Sequence, residues 1–171
     1  VQNYKMDFSK YISTQSHDFK VGSSWGHIVS YYTASGNDYY VPYEYNASSG
    51  HDGVGCLGCG DQTALGPYSN RGSANDILVT PKVKGKVGIW ATKKAYTTDL
   101  KFYKVTKTSE GYVLGDEIAP TTTPTYNWNT WTQVEIPELT EETYIGLYVC
   151  GLTIDDFYAD QADVTKEAGL H

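Results

Sequence analysis

Polar and apolar positions alternate most clearly between Asn75 and Trp90, NDILVTPKVKGKVGIW. Asp76-Ile77-Leu78-Val79-Thr80 is a short apolar, β-branched run, and Pro81 ends it because proline brings no amide donor to a central ladder. Lys84-Gly85-Lys86 reads as a tight polar turn. Val87, Ile89 and Ala91 then alternate with Lys86, Gly88 and Trp90, the period of two that turns one face of a strand towards a core. The stretch therefore predicts a strand, a turn and a second strand.

The same reading along the chain predicts further strands. Lys5 to Tyr11 is a short first one. Trp25 to Thr33 is another, turned by Ser35-Gly36-Asn37. Asp38 to Tyr45 is aromatic, with Pro42 restricting it to an edge or a bulge. Asp99–Lys107, Tyr112–Ala119, Trp131–Ile136, Thr143–Cys150 and Ile154–Ala159 follow, and Thr121 to Asn129 is a Thr/Pro loop. About ten short strands separated by turns, with no recurring helical period, predict an all-β sandwich. Residues 1–160 read as one domain, and 161–171 as a tail or linker.

Composition agrees with that class: 16 Tyr and 4 Trp favour strands, and 17 Gly supply turns in a chain of 171 residues. The net charge of −7 disfavours nucleic acid or an anionic membrane as partner, since both require a basic face. No signal-peptide pattern is present and no apolar run is long enough to span a bilayer, so the chain reads as a mature or excised fragment without membrane insertion.

Three cysteines, Cys56, Cys59 and Cys150, are too few and odd in number for a disulfide framework. Cys56 and Cys59 form one CxxC in the glycine-dense segment SSGHDGVGCLGCG. Closing a zinc site would need Cys150 and His51 as well, and small buried thiols are the simpler reading. Asn46-Ala47-Ser48 matches a glycosylation sequon.

Catalysis finds little support. A nucleophile needs a base held against it and a third group to orient that base. His27 lies in an apolar strand, His17 in a polar turn, His171 at the terminus, and His51 in a Gly-rich turn. Neither GxSxG nor HExxH occurs. Glu117 and Glu135 sit on predicted strands and form the one pair considered for glycoside cleavage; ordinary surface polarity explains them as well. The expectation is a protein that is not an enzyme.

Three motifs fall in a known order: Gly50-His51-Asp52-Gly53, then Asn75-Asp76-Ile77-Leu78-Val79-Thr80-Pro81, then Thr153-Ile154-Asp155-Asp156-Phe157, with Trp25 ahead of them. From Trp25 to Tyr158 the chain resembles the cleaved-adhesin domains that follow gingipain proteases, and the wider MAM-like jelly rolls of bacterial surface proteins. That resemblance implies a jelly-roll β-sandwich of two antiparallel sheets, of the concanavalin or galactose-binding type. It implies a non-catalytic, monomeric module within a larger chain, extracellular or on the bacterial cell surface, that binds a host glycan or host protein. It also implies one structural Ca2+.

Calcium takes six to eight oxygen ligands. The resemblance carries Asp155 over from the terminal aspartate pair. The Gly50-His51 turn is expected to lend carbonyls, and Asp7 is placed by position as a second carboxylate. Strict alternation puts Asp156 on the face of Ile154, so the choice between Asp155 and Asp156 stays open. Where such domains often carry an Asp-rich loop after the Trp, this chain has Ser35-Gly36-Asn37-Asp38, with a single acid.

Sugar recognition by a rigid β module uses exposed Tyr and Trp rings. Tyr126, Trp128 and Trp131 lie in or beside the Thr/Pro loop, and Tyr43 belongs to the Tyr39–Tyr45 run; these are the candidate ligand contacts. Packing in the core or across strands is the competing reading for every ring. The competing function is a spacer that positions a neighbouring domain and has no ligand of its own.

Overall fold

The computed structural model describes residues 1–8, 24–29, 31–34, 37–40, 43–46, 50–51, 56–59 and 76–164. Every regular element among them is a strand: β1 (Gln2–Met6), β2 (Gly26–Val29), β3 (Tyr31–Ala34), β4 (Asn37–Tyr40), β5 (Tyr43–Asn46), β6 (Cys56–Cys59), β7 (Asp76–Lys93), β8 (Asp99–Thr108), β9 (Gly111–Ile118), β10 (Thr132–Cys150) and β11 (Leu152–Ala162).

The expected strand–turn–strand at Asn75–Trp90 is instead one unbroken strand, β7, of 18 residues. Two local devices replace the turn. Pro81 sits beside a register shift between Tyr144–Lys82 and Gly146–Val79. There the Ile145 amide donates to the Thr80 hydroxyl oxygen at 3.1 Å, and that hydroxyl donates to the Pro81 carbonyl at 2.7 Å. A buried amide left unmade at this point would cost about 1–3 kcal/mol; the threonine prevents that. Gly85 then takes φ of +85° and bends the strand, while the Lys86 amide donates to Asp160 Oδ2 at 2.8 Å.

β10 repeats the pattern. Its two predicted halves, Trp131–Ile136 and Thr143–Cys150, are one strand of 19 residues with register shifts between Ile136 and Leu139 and between Leu139 and Thr143. The bends of β7 and β10 lie side by side, so the two strands turn together. Before its bend, β7 pairs with β2 and the C-terminal half of β10; after it, β7 pairs with β11 and the N-terminal half of β10. β8 and β9 extend the first group, and β1, β6 and β5 extend the second. The predicted antiparallel β-sandwich forms, with its layers joined through two shared strands. β3 and β4 pair antiparallel as a separate two-stranded sheet. β11 runs through Gln161 and Ala162, and the Asp163 amide donates to the Lys82 carbonyl at 2.8 Å.

Alternation fills the space between layers. Val87, Ile89 and Ala91 of β7, Val134 and Ile136 of β10, and Leu78, Leu147 and Phe102 are all buried in one cluster. At its centre Phe157 meets Trp25 edge-on at 5.3 Å and Tyr4 at 6.4 Å. The Trp25 indole donates to the Tyr4 hydroxyl at 2.7 Å, which satisfies two polar atoms that burial would otherwise strand. Trp25, ahead of β2, thus ties one layer to β1 and β11 of the other.

The crossing from β10 to β11 is Gly151 alone, with φ of +63°. A Cβ there would collide with the Thr97 carbonyl, and the Gly151 carbonyl accepts from the Lys94 and Ala95 amides at 2.9 and 3.0 Å. Gly151→Ala is expected to destabilise the domain by about 3 kcal/mol, since it adds both a clash and a strained φ. A urea melt at unchanged m-value measures this; an unshifted midpoint refutes the close approach.

Candidate functional site

The most polar point of the interior is on β11. Asp155 and Asp156 are 1% and 3% exposed, and the register against β7 shifts between Asp155 and Tyr158. Asp156 adopts φ of +49°, a conformation Asp tolerates better than most side chains. This bulge breaks the alternation, so both carboxylates reach the same neighbour, His51. The His51 amide donates to Asp155 Oδ2 at 2.8 Å, its ring Nδ1 lies 2.7 Å from Asp156 Oδ2, and the Asp156 amide donates to Asp155 Oδ1 at 2.7 Å. Lys5 Nζ stands 3.5 Å from Asp156 Oδ1. Asp7 follows Met6, which pairs with Phe157, so its charge falls beside the same bulge.

The two acids are compensated differently. Asp156 has a cation and an imidazole. Asp155 has two amide donors and faces the charges of Asp156 and Asp7. Burial, then those two charges, push its carboxyl from the ordinary 3.8 up to about 7, against the opposite pull of the His51 and Asp156 amides. His51 is fixed on its other side by stacking on Trp90 at 4.0 Å and by the edge of Trp131 at 5.7 Å. Trp90 is opposite Asp155 in the ladder, so one register position sets the whole group.

Asp155 and Asp7 could lend carboxylate oxygens to a hard cation beside Gly50, where a cation would relieve a buried negative charge. Asp156 is already engaged by Lys5 and His51, which leaves Asp155 as the acid that lacks a cationic partner. The His51 ring faces Asp156, so any contribution of this turn to a cation is through backbone oxygen. Among the described residues no three His, Cys, Asp or Glu side chains stand ready-made as a metal site; carbonyl oxygens would have to complete the shell. Among the described residues Cys56, Cys150 and His51 do not gather into a zinc set; both thiols are buried and free of disulfides. The Cys59 side chain lies outside the described residues.

The candidate ligand rings separate. Trp128 is 48% exposed. Tyr126 packs against the core with its hydroxyl buried, Trp131 is half-buried against His51, and the Tyr43 side chain lies outside the described residues. Tyr96, which the pattern did not single out, is 90% exposed and meets Trp128 edge-on at 5.9 Å. Trp90 and Lys5 were also missed. The outward phase of Trp90 in Val87–Ala91 was the available signal for it; Lys5 had none.

Glu135 accepts a short hydrogen bond from the Tyr158 hydroxyl, which also accepts from Gln133 Nε2 at 2.7 Å. Burial first, and that carboxylate second, push the Tyr158 hydroxyl well above its usual range. Glu117 is exposed on β9, and the two acids lie on strands that do not pair with each other. Among the described residues no helix is long and apolar enough to cross a membrane.

Strand order, shared bent strands and the buried acidic bulge define a β-sandwich domain. No family model and no curated protein matches the sequence. Among solved structures the chain is similar to the K1 cleaved adhesin domain of Lys-gingipain from Porphyromonas gingivalis, with a TM-score of 0.57 at 16% identity, covering 96% of this chain and 100% of that one. At that identity the likeness is one of fold.

The raised Asp155 carboxyl sets a pH dependence for metal-free protein. An acid whose folded pKa is raised is favoured in its protonated form by folding, so the cost is absent below about pH 4 and complete above about pH 7. Asp155→Asn should therefore gain stability over the wild type at pH 7.5 and lose that advantage near pH 4. The difference is on the order of 2 kcal/mol after screening, or roughly 5 °C in Tm. Thermal melts in chelator at both pH values test this; an equal offset at each refutes it.

Proposed function

We propose that this chain is a non-catalytic adhesion module of a larger bacterial cell-surface or secreted protein, braced by one structural calcium ion. The observation that carries the reading is the fold likeness, over 96% of the chain, to a cleaved adhesin domain of a surface protease. Two further features support it. Tyr96 and Trp128 offer exposed rings on backbone that is hydrogen-bonded in place, which a mere spacer does not need. Asp155, the one carboxylate raised strongly among the described residues, accepts from two amides beside a second acid, and no described hydroxyl or thiol is bonded to it.

Calcium would be held by Asp155 and Asp7, with carbonyl oxygen from the Gly50–His51 turn. It would neutralise the buried acid and cross-link the end of β1, the bulge of β11 and that turn. Its role is structural, because its ligands lie in the interior and not under the exposed rings.

Millimolar Ca2+ should raise the Tm of chelator-treated protein by several degrees, as any ligand specific to the native state does. Asp155→Ala and Asp7→Ala should abolish the rise, whereas Asp116→Ala on exposed β9 should keep it. No shift in the wild type removes calcium from the reading. Adhesion is tested separately: beads carrying the domain should be retained by epithelial cells or their extracellular matrix. Retention equal to that of uncoated beads favours the spacer.

A further inference from the structure

Lys93, Tyr96 and Trp128 come together at the end of β7. Lys93 Nζ lies 5.4 Å from the Trp128 ring centre and 5.9 Å from that of Tyr96, within the distance at which a cation is drawn to an aromatic face. The rings are near-perpendicular, at 80°, so they form a corner with the ammonium beside it. In a chain of net charge −7, Lys93 has no carboxylate within ion-pair distance among the described residues.

Both loops that carry the corner are pinned. The Lys93 amide and the Thr92 hydroxyl donate to the Asn127 carbonyl at 3.0 and 3.1 Å. The Lys94 and Ala95 amides donate to Gly151, and the Cys150 thiol donates to the Thr97 carbonyl at 3.8 Å. Asn127 and Thr130 bridge across Trp128. The exposed rings are therefore presented by fixed backbone, which lowers the ordering cost of binding.

The same two loops line an open cleft of about 470 Å³ that includes Thr98, Thr123 and Tyr126, with Asp99 as its one charged residue, so the cleft suits the hydroxyls of a sugar and the acid belongs at the corner. The Tyr126 hydroxyl is buried there without a hydrogen-bond partner among the described residues. Native proteins seldom leave such a group unsatisfied; its oxygen is closed to solvent, and the ring edge of Tyr126 is what borders the cleft.

We propose that this corner and cleft bind an acidic glycan: a sugar bearing a carboxylate stacks on Trp128 and Tyr96 with its acid on Lys93, and a neighbouring sugar places hydroxyls in the threonine cleft. Pyranose rings offer a C–H face to aromatic rings and hydroxyls at their edge; the carboxylate supplies the counter-charge that Lys93 has from no described residue. A protein partner fits less well. A standard protein interface covers about 800 Å² per side, and here two rings are surrounded by exposed polar positions, Lys94, Thr97, Asn127 and Asn129.

This inference rests on the adhesion reading and names its ligand class. The test is calorimetric titration of the whole domain with a tetragalacturonate and with its carboxyl-reduced, neutral counterpart, beside the bead assay. The acidic tetramer should bind roughly tenfold more tightly, the margin of one charge-assisted bond. Lys93→Gln should erase that margin and leave neutral binding unchanged. Trp128→Ala should remove both at unchanged Tm. Equal affinity for the two tetramers, or an intact margin in Lys93→Gln, overturns the acidic-glycan assignment. Beads retained by cells in a Trp128-dependent way, with no binding of either tetramer, overturn it in favour of a protein partner while adhesion stands. Beads that are not retained at all defeat the adhesion reading itself.

Discussion

A strand can belong to both layers of a sandwich only if it bends while keeping its hydrogen bonds. β7 and β10 meet that requirement in the same place. Proline would leave a gap in the ladder, and glycine with positive φ would ordinarily reverse the chain. Here the gap is covered by the Thr80 hydroxyl, which accepts from Ile145, and the glycine is opposed by a bulge in β10. The neighbours inherit the result: β2, β8 and β9 pair on one side of the bend, and β11, β1, β6 and β5 on the other. The aromatic centre of Tyr4, Trp25 and Phe157 forms because the bend brings those two groups face to face.

The second constraint is electrical. Two carboxylates buried in adjacent positions repel each other and lose hydration, a combination tolerated only when donors or cations replace water. The bulge at Asp155–Asp156 concentrates such donors: two amides for Asp155, and Lys5 with His51 for Asp156. The division leaves Asp155 short of positive charge. In structural terms the site is a deliberate local conflict, since an apolar pair at the same positions would satisfy β11 without it.

Most strands and the sandwich class were legible in the residues, because alternation reaches the reader without three-dimensional context, and a motif near the last strand marked the Asp155–Asp156 pair that proves to be buried. The continuity of β7 and β10 was not. Pro81, Gly85 and Pro137 all carry the local chemistry of chain breaks, and only a partner strand with matching bulges shows that they are corners. The orientation of Asp156 was hidden for a related reason: a single residue of positive φ shifts the phase, and alternation cannot report its own failure. Trp128 was visible as a large ring in a polar loop. Tyr96 was not, since an isolated Tyr in KKAYTTD has no periodicity and its exposure is set by the distant Gly151.

The acidic bulge and the aromatic corner depend on the same strand ends. Asp155 is opposite Trp90, and Leu152, one residue beyond the crossing glycine, is opposite Lys93. His51 spans the interval by touching Trp90 and Trp131, and Trp131 closes the loop that holds Trp128. Three ladder positions therefore separate a buried charge that needs compensation from a half-buried cation that has no carboxylate partner among the described residues. Moving Lys93 out to a flexible loop would free it to find one of the many surface carboxylates. Fixing it on the last residue of β7, between two rings, withholds it from them, and a charge withheld from its own protein remains available to another molecule.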